Sequence, residues 1–516
     1  MRRPVQSGPA FAAPSSTLTG PVRRAPVHAL ALLALAGLTA VTAAGCGDGP
    51  DANSPNRSQL ADKWLTRAKQ SYRSGDAEDA AVAIDGALKA APRDREARLL
   101  AARIALAKLE FEEAIKLTEG MEGSDAKAVR GRAFWYTGDI ERAADELEDM
   151  LKDPAIKDPW ARDVAKLARR GHGRHPFAIE GAVVAAVEMP GGGGPALVVP
   201  CELEGERILA LVATNFGELM IDSSSRKEPA WVNLRFGDKF EVKDVPALTH
   251  DLSGISRTLG ATIKALLGVN VLRHMHVTFD RRGSQFVVRK SDPPPPPDAS
   301  KMPIFYARGG AMMMRASVSS KDDGNALLFV DSSAFYPLAL EDALLKRSGA
   351  DLSSFRPEPG APPSWKMGPL PFFKLGGVDI SGFPAVQGAP FGDYKQIFDV
   401  DLGGVAGAGL LSVFRVTFAD EGKWLWLELD PSMGGPGGMP LDAPPGAPPP
   451  LDEPPAEAPK SAPPAAGKPG APSSKEAPKT SPAPKAPPAA PKSETPKSEA
   501  PTPKAGAPTE SKGAAR

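Results

Sequence analysis

The sequence predicts an α+β multidomain chain, with an N-terminal α-solenoid, two all-β lobes and a disordered C-terminal tail. Three observations carry that prediction. Helical marker residues recur at a spacing of 34 near the N-terminus, as from Ala68 to Ala102 and from Ala80 to Ala114. The apolar period changes from helical to strand-like after Arg174. Of the 56 prolines, 25 fall between Pro431 and Arg516, a stretch without one aromatic residue. The proline excess therefore belongs mainly to a tail rather than to the folded body.

Charge and cysteine usage exclude whole classes. Lys plus Arg is 62 and Asp plus Glu is 62, so nothing points to a protein held on nucleic acid by bulk positive charge. Two cysteines, Cys46 and Cys201, are too few for a disulfide framework or a Cys-based zinc ribbon. His274 and His276 share a face of a predicted strand, and His172 and His175 sit in a predicted turn. Neither pair has acidic or Cys company at ligand spacing, so no metal site is expected. No cofactor is expected either: the Gly191 to Gly194 loop lacks the Gly-Lys-Ser/Thr of a phosphate cradle. Cys201, in an apolar strand with no His near it in sequence, reads as an inert buried thiol.

Residues 1–45 read as an address. Arg2, Arg3, Arg23 and Arg24 precede an uncharged run from Ala29 to Gly45, and the run ends in Ala43-Ala44-Gly45-Cys46. Small residues before a Cys resemble a bacterial lipoprotein signal. The resemblance implies that Cys46 is lipidated, that residues 46–56 are a tether, and that the body is held at the bacterial cell envelope. Gly47 after the Cys is similar to the outer-membrane sorting pattern. An uncleaved membrane anchor with an incidental Cys46 is the competing reading.

Residues 57–175 carry the repeats. Trp64, Ala68, Tyr72, Gly75, Ala80, Ile84, Ala87, Leu88 and Pro92 mark a helix–turn–helix unit. Ala68 and Ala80 allow close helix approach, Gly75-Asp76 makes the turn and Pro92 ends the second helix. In the second copy Leu109 replaces the turn Gly. The third copy, with Gly131, Trp135 and Gly138-Asp139, follows after 29 rather than 34 residues. Asp158 to Arg170 reads as a capping helix. The pattern resembles the tetratricopeptide repeat family. That resemblance implies a concave groove for a protein or peptide ligand, with contacts at Leu65, Lys69, Tyr72, Arg73, Arg103, Leu106, Arg132 and Trp135. The basic members would suit an acidic segment or a carboxy-terminus. They fit a merely solvated face equally well, and the aromatic members fit packing.

Two segments, 176–290 and 302–430, then repeat one order of landmarks around the Pro293 to Pro297 linker in 291–301. In the first, Ala196 to Val212 reads as a hairpin about Gly205, and Trp231 to Phe236 pairs with Phe240 to Val245. A helical piece over Thr258 to Leu267 leads to Gly268-Val269-Asn270-Val271-Leu272. In the second, Met312 to Val318, Leu327 to Val330, Phe372 to Leu375 and Val378 to Phe383 follow the same sequence of strands. Gly407-Ala408-Gly409-Leu410-Leu411 stands where Gly268 to Leu272 stood, and Val416-Thr417-Phe418 matches Val277-Thr278-Phe279.

This outline resembles tandem retropepsin-like lobes of aspartic proteases, over residues 180–430. The resemblance implies two aspartates sharing one proton, one from the end of the second strand of each lobe. In the second lobe Asp331-Ser332 matches that motif, with Ser333 in the place of its Gly. In the first, the matching strand ends in Ala213-Thr214-Asn215, so Ala213 stands where the Asp should be. An alternative alignment takes Ile221-Asp222-Ser223-Ser224 as the motif and restores an Asp. Asp331 can also be an ordinary turn Asp that caps backbone amides.

The expected function is an envelope-anchored scaffold that binds protein or peptide, with a protease-like module that has lost catalysis. An aspartic endopeptidase acting through Asp331 is the enzymatic alternative. A cell-wall-associated structural anchor, resting on the Pro/Ala/Lys-rich tail 431–516, is the third.

Overall fold

The computed structural model describes residues 57–429 except 192–193, 322–324 and 358–361. The leader, Cys46, the tether and the tail lie outside the described residues.

Seven helices come first: α1 (Gln59–Arg73), α2 (Ala77–Ala90), α3 (Arg95–Ala107), α4 (Phe111–Thr118), α5 (Ser124–Thr137), α6 (Ile140–Leu151) and α7 (Pro159–Arg169). Ser58, Asp76, Asp94, Asp139 and Asp158 cap five of them by accepting a hydrogen bond from an amide three residues on. The helices pack as consecutive hairpins, α1 on α2, α3 on α4 and α5 on α6, with α7 against α6. Each hairpin turn needs one left-handed residue. Gly75 (φ 71°) and Gly138 (φ 82°) supply it cheaply, whereas Leu109 adopts φ 60° despite its side chain. Burial of Leu109 in the core between α3 and α5 holds it there. No helix among the described residues is long and apolar enough to cross a membrane.

A β-rich region follows. In its first part a closed ring of strands forms a barrel. The order is Phe240–His250, Leu219–Asp222, Ile263–Leu267, Glu206–Val212, Val198–Leu203 and Ala230–Phe236, which returns to Phe240–His250. The second part repeats these pairings. Glu206–Val212 runs parallel to Ile263–Leu267, and Asn325–Asp331 runs parallel to Leu402–Gly407. Leu219–Asp222 lies parallel to Phe240–His250, and Leu338–Leu340 lies parallel to Phe383–Gln387. The two parts share one antiparallel sheet, in the order Val184–Glu188, Gln285–Arg289, Thr278–Asp280, Phe414–Ala419, Trp424–Leu429, Ser300–Ala307. At its centre Thr278 faces Thr417 and their hydroxyls lie 2.8 Å apart.

Three local expectations are corrected. The predicted helix over Thr258 to Leu267 is a helix, Ser253–Leu259, followed by the strand Ile263–Leu267. That strand is apolar because it pairs inside the barrel, and an apolar run of this length reads equally well as helix. His274 ends a short helix, Val269–His274, rather than sharing a strand with His276. The strand Ser300–Ala307 begins inside the expected linker 291–301, drawn in by pairing with Trp424–Leu429.

The helices do not stand apart from the β-rich region. Tyr72, Leu100 and Ile104 share a core with Phe305, Met313 and Leu327. A Cβ on Gly75 would fall 2.3 Å from Leu327, so the first helical turn is seated directly on the sheet.

Candidate functional site

The site is built where two parallel strand pairs end. Asn325–Asp331 and Glu206–Val212 each run beside a strand that stops at a glycine, Gly407 and Gly268. Both glycines are required by close approach. A Cβ on Gly407 would lie 2.0 Å from the Tyr336 carbonyl oxygen, and one on Gly268 would lie 2.0 Å from that of Glu218. The short helices Ala408–Leu411 and Val269–His274 start immediately afterwards.

The two strand ends are tied by a reciprocal set of hydrogen bonds. The Thr214 amide donates to Ser332 Oγ at 3.0 Å, and the Ser332 amide donates to Thr214 Oγ1 at 3.0 Å. Thr214 Oγ1 donates to the Val330 carbonyl at 2.8 Å, and Ser332 Oγ donates to the Val212 carbonyl at 2.7 Å. Each hydroxyl both accepts and donates, so both side-chain oxygens of this buried knot are satisfied. Position 213 and position 331 therefore flank the same knot, one residue from each of its hydroxyl side chains.

The two flanking residues differ in chemistry. Ala213 is 0% exposed and packs with Leu211, Leu252 and Ile263. Asp331 is 8% exposed, and its Oδ1 accepts from the Ser333 amide at 2.9 Å and the Ser333 hydroxyl at 2.6 Å. Burial pushes the Asp331 carboxyl above the usual range against these Ser333 bonds. No carboxylate contributes to that shift; the charge of Asp331 in turn bears on Tyr336 and Tyr394.

A carboxyl whose folded pKa lies above its unfolded value contributes its full stability at low pH and loses it as pH rises. Asp331→Asn has no such titration. Wild type should therefore lose stability relative to Asp331→Asn between acid and neutral pH, as read from urea unfolding. A gap that moves the other way would mean that the charged form of Asp331 is the one the fold stabilises.

Asp222, the alternative partner, has its own set of neighbours. It ends Leu219–Asp222, accepts from the Ser224 hydroxyl and from the Leu252 amide at 3.3 Å, and has Lys264 Nζ at 3.8 Å. Burial opposes its charge, but the Ser224 and Leu252 bonds outweigh it and hold its carboxyl below the usual range. Its backbone pairs with His250, not with the strand that bears Asp331.

The residues expected to line a peptide groove are engaged within the chain. Tyr72 packs edge-on against Phe305 at 5.3 Å, and Trp135 packs against Trp231 at 5.8 Å. Leu65 and Leu106 are buried. Arg73 binds Asp401 at 2.8 Å, and Arg132 binds Asp158 at 2.7 Å while stacking 3.8 Å above Trp160. Lys69 pairs with Glu96. Arg103 is half-buried on α3, near Arg308 in the turn between Ser300–Ala307 and Ala311–Ser317. Tyr72 and Trp135 thus face the chain's own β-rich region, whereas the side chains of Lys69 and Arg73 stay about half exposed. Cys201 is buried in Val198–Leu203, and burial pushes its thiol up to about 12.

A second set of buried polar groups was not anticipated from sequence. Glu218 Oε1 accepts from Trp135 Nε1 at 3.3 Å and Oε2 from Trp160 Nε1 at 2.9 Å. Burial raises the Glu218 carboxyl, against those two indoles and Arg132.

No family model and no curated protein matches the chain. Solved structures align with parts of the chain. A retropepsin-like aspartic protease from Rickettsia conorii aligns with 25% of this chain and 90% of its own, at 20% identity and a TM-score of 0.19. Basic 7S globulin from soybean aligns with 49% of this chain and 95% of its own, at 12% identity and a TM-score of 0.33.

Proposed function

We propose that this chain is a binding protein on an aspartic-protease-like body that does not hydrolyse peptides. The observation that carries the reading is the reciprocal Thr214–Ser332 knot, flanked by Asp331 on one side and Ala213 on the other. Aspartic proteolysis needs one carboxyl as base on a water and a second to polarise the carbonyl. Here one position bears a methyl group. The remaining Asp331 is spent on Ser333, as a turn Asp would be.

The helical hairpins, read as tetratricopeptide-like repeats, serve as a bracket for the β-rich region rather than as an open peptide groove. The lipidated Cys46 holds the body at the bacterial envelope, with the outer membrane as its site. The protein or peptide partner then meets the remaining exposed surface. Hydrolysis is the test: a mixed peptide library incubated with the full chain should be recovered intact across acid and neutral pH. Cleavage lost in Asp331→Asn would establish the endopeptidase reading instead.

A further inference from the structure

A cavity of about 250 Å³ lies away from Asp331, between the end of α5, residues 175–177, and the helix Val269–His274. Its walls include Trp135, Tyr136 and Phe177, with His274 stacked on Phe177 at 4.2 Å. Its polar lining includes Glu218, Asn270 and Arg273.

Arg273 is the unusual member. It is 3% exposed, and its Nε donates to Asn270 Oδ1 at 2.8 Å. Its guanidinium carbon stands 5.4 Å from the centre of the Phe111 ring. Nη2 is buried with no hydrogen-bond partner. A buried guanidinium ordinarily finds a carboxylate for its terminal nitrogens. Glu218 lines the same cavity, yet its two oxygens take the indoles of Trp135 and Trp160. One strong cationic donor is thus left without a partner on a residue that lines an aromatic-walled cavity. That is the pattern of a ligand site, with apolar walls and a few convergent polar groups.

We propose that this cavity binds a small carboxylate with a planar apolar body, its carboxylate taken by Arg273 Nη2 and its ring held against Trp135, Tyr136 and Phe177. The volume suits a compact monocarboxylic acid and falls below that of a drug-sized pocket. The site is independent of any role of Asp331.

The experiment titrates para-fluorobenzoate into the full chain and follows its fluorine NMR signal, with para-fluorobenzylamine as the cationic control. Binding of the acid with a dissociation constant of about 1 mM or tighter is expected, and none of the amine. Arg273→Met should weaken the acid at least roughly tenfold. Thr137→Trp offers a second variant. Thr137 is an exposed lining residue, so a large ring there should block entry without touching the buried groups. Asp331→Asn should bind the acid like wild type. The proposal is overturned if the acid does not bind, if the amine binds as tightly, or if binding survives Thr137→Trp and a folded Arg273→Met unchanged.

Discussion

Ala213→Asp should cost about 3 kcal/mol or more at neutral pH and much less at acid pH. Ala213 is fully buried among Leu211, Leu252 and Ile263, so the new carboxylate would be desolvated without a partner. It would also flank the knot opposite Asp331, and two carboxylates sharing a site cannot both ionise cheaply. Both acids would then have folded pKa values above their unfolded values. Stability from such groups is present at low pH and is lost as pH rises. Urea unfolding of wild type and variant at several pH values reads the gap directly. A variant equally stable at neutral pH would mean that position 213 is open to water or faces a cation, and the placement argued for it would be wrong.

Thr214→Val should cost about 2–4 kcal/mol, far more than its size suggests. Valine keeps the shape but removes the hydroxyl, leaving the Ser332 amide and the Val330 carbonyl without their partner. Each orphaned buried group costs about 1–3 kcal/mol. Thr214→Ser retains the hydroxyl and should cost only about 1 kcal/mol for its lost methyl. Because Ser332→Ala breaks the same knot, the double variant should be much less than additive. Chemical denaturation of the four proteins closes the cycle. Additive costs would show that the two hydroxyls act separately rather than as one tie.

Much of the architecture was legible because it rests on local rules. Alanines at helix contacts and glycines at turns, such as Ala68, Ala80 and Gly75, mark the helical hairpins. Leu109 shows the limit: its left-handed turn is fixed by the hairpin around it and not by its own preference. The β-rich landmarks were legible through repetition, which matched Thr214 with Ser332 and Gly268 with Gly407. What sequence left open was which strand end meets Asp331. Both Ala213 and Asp222 follow apolar strands, and only the hydrogen bonds crossing between the two parts distinguish them.

A peptide groove is ambiguous in sequence for a related reason. A helical face with basic and aromatic residues looks the same whether a ligand or the chain's own sheet covers it, and here Phe305 and Trp231 do. The cavity around Arg273 was illegible altogether. Its members come from α5, from Glu218 and from Val269–His274, and their polar balance depends on which donors the fold leaves unpaired.

Aspartic proteolysis needs two carboxyls, and a hydrolysis assay shows whether Asp331 without a second one can cut peptides. The full chain and Asp331→Asn would each be incubated with a mixed peptide library from about pH 3 to 7, where a working dyad would be partly protonated. Mass spectrometry would follow the peptides. The same intact library is expected from both proteins. Cleavage by wild type that vanishes in Asp331→Asn would contradict it.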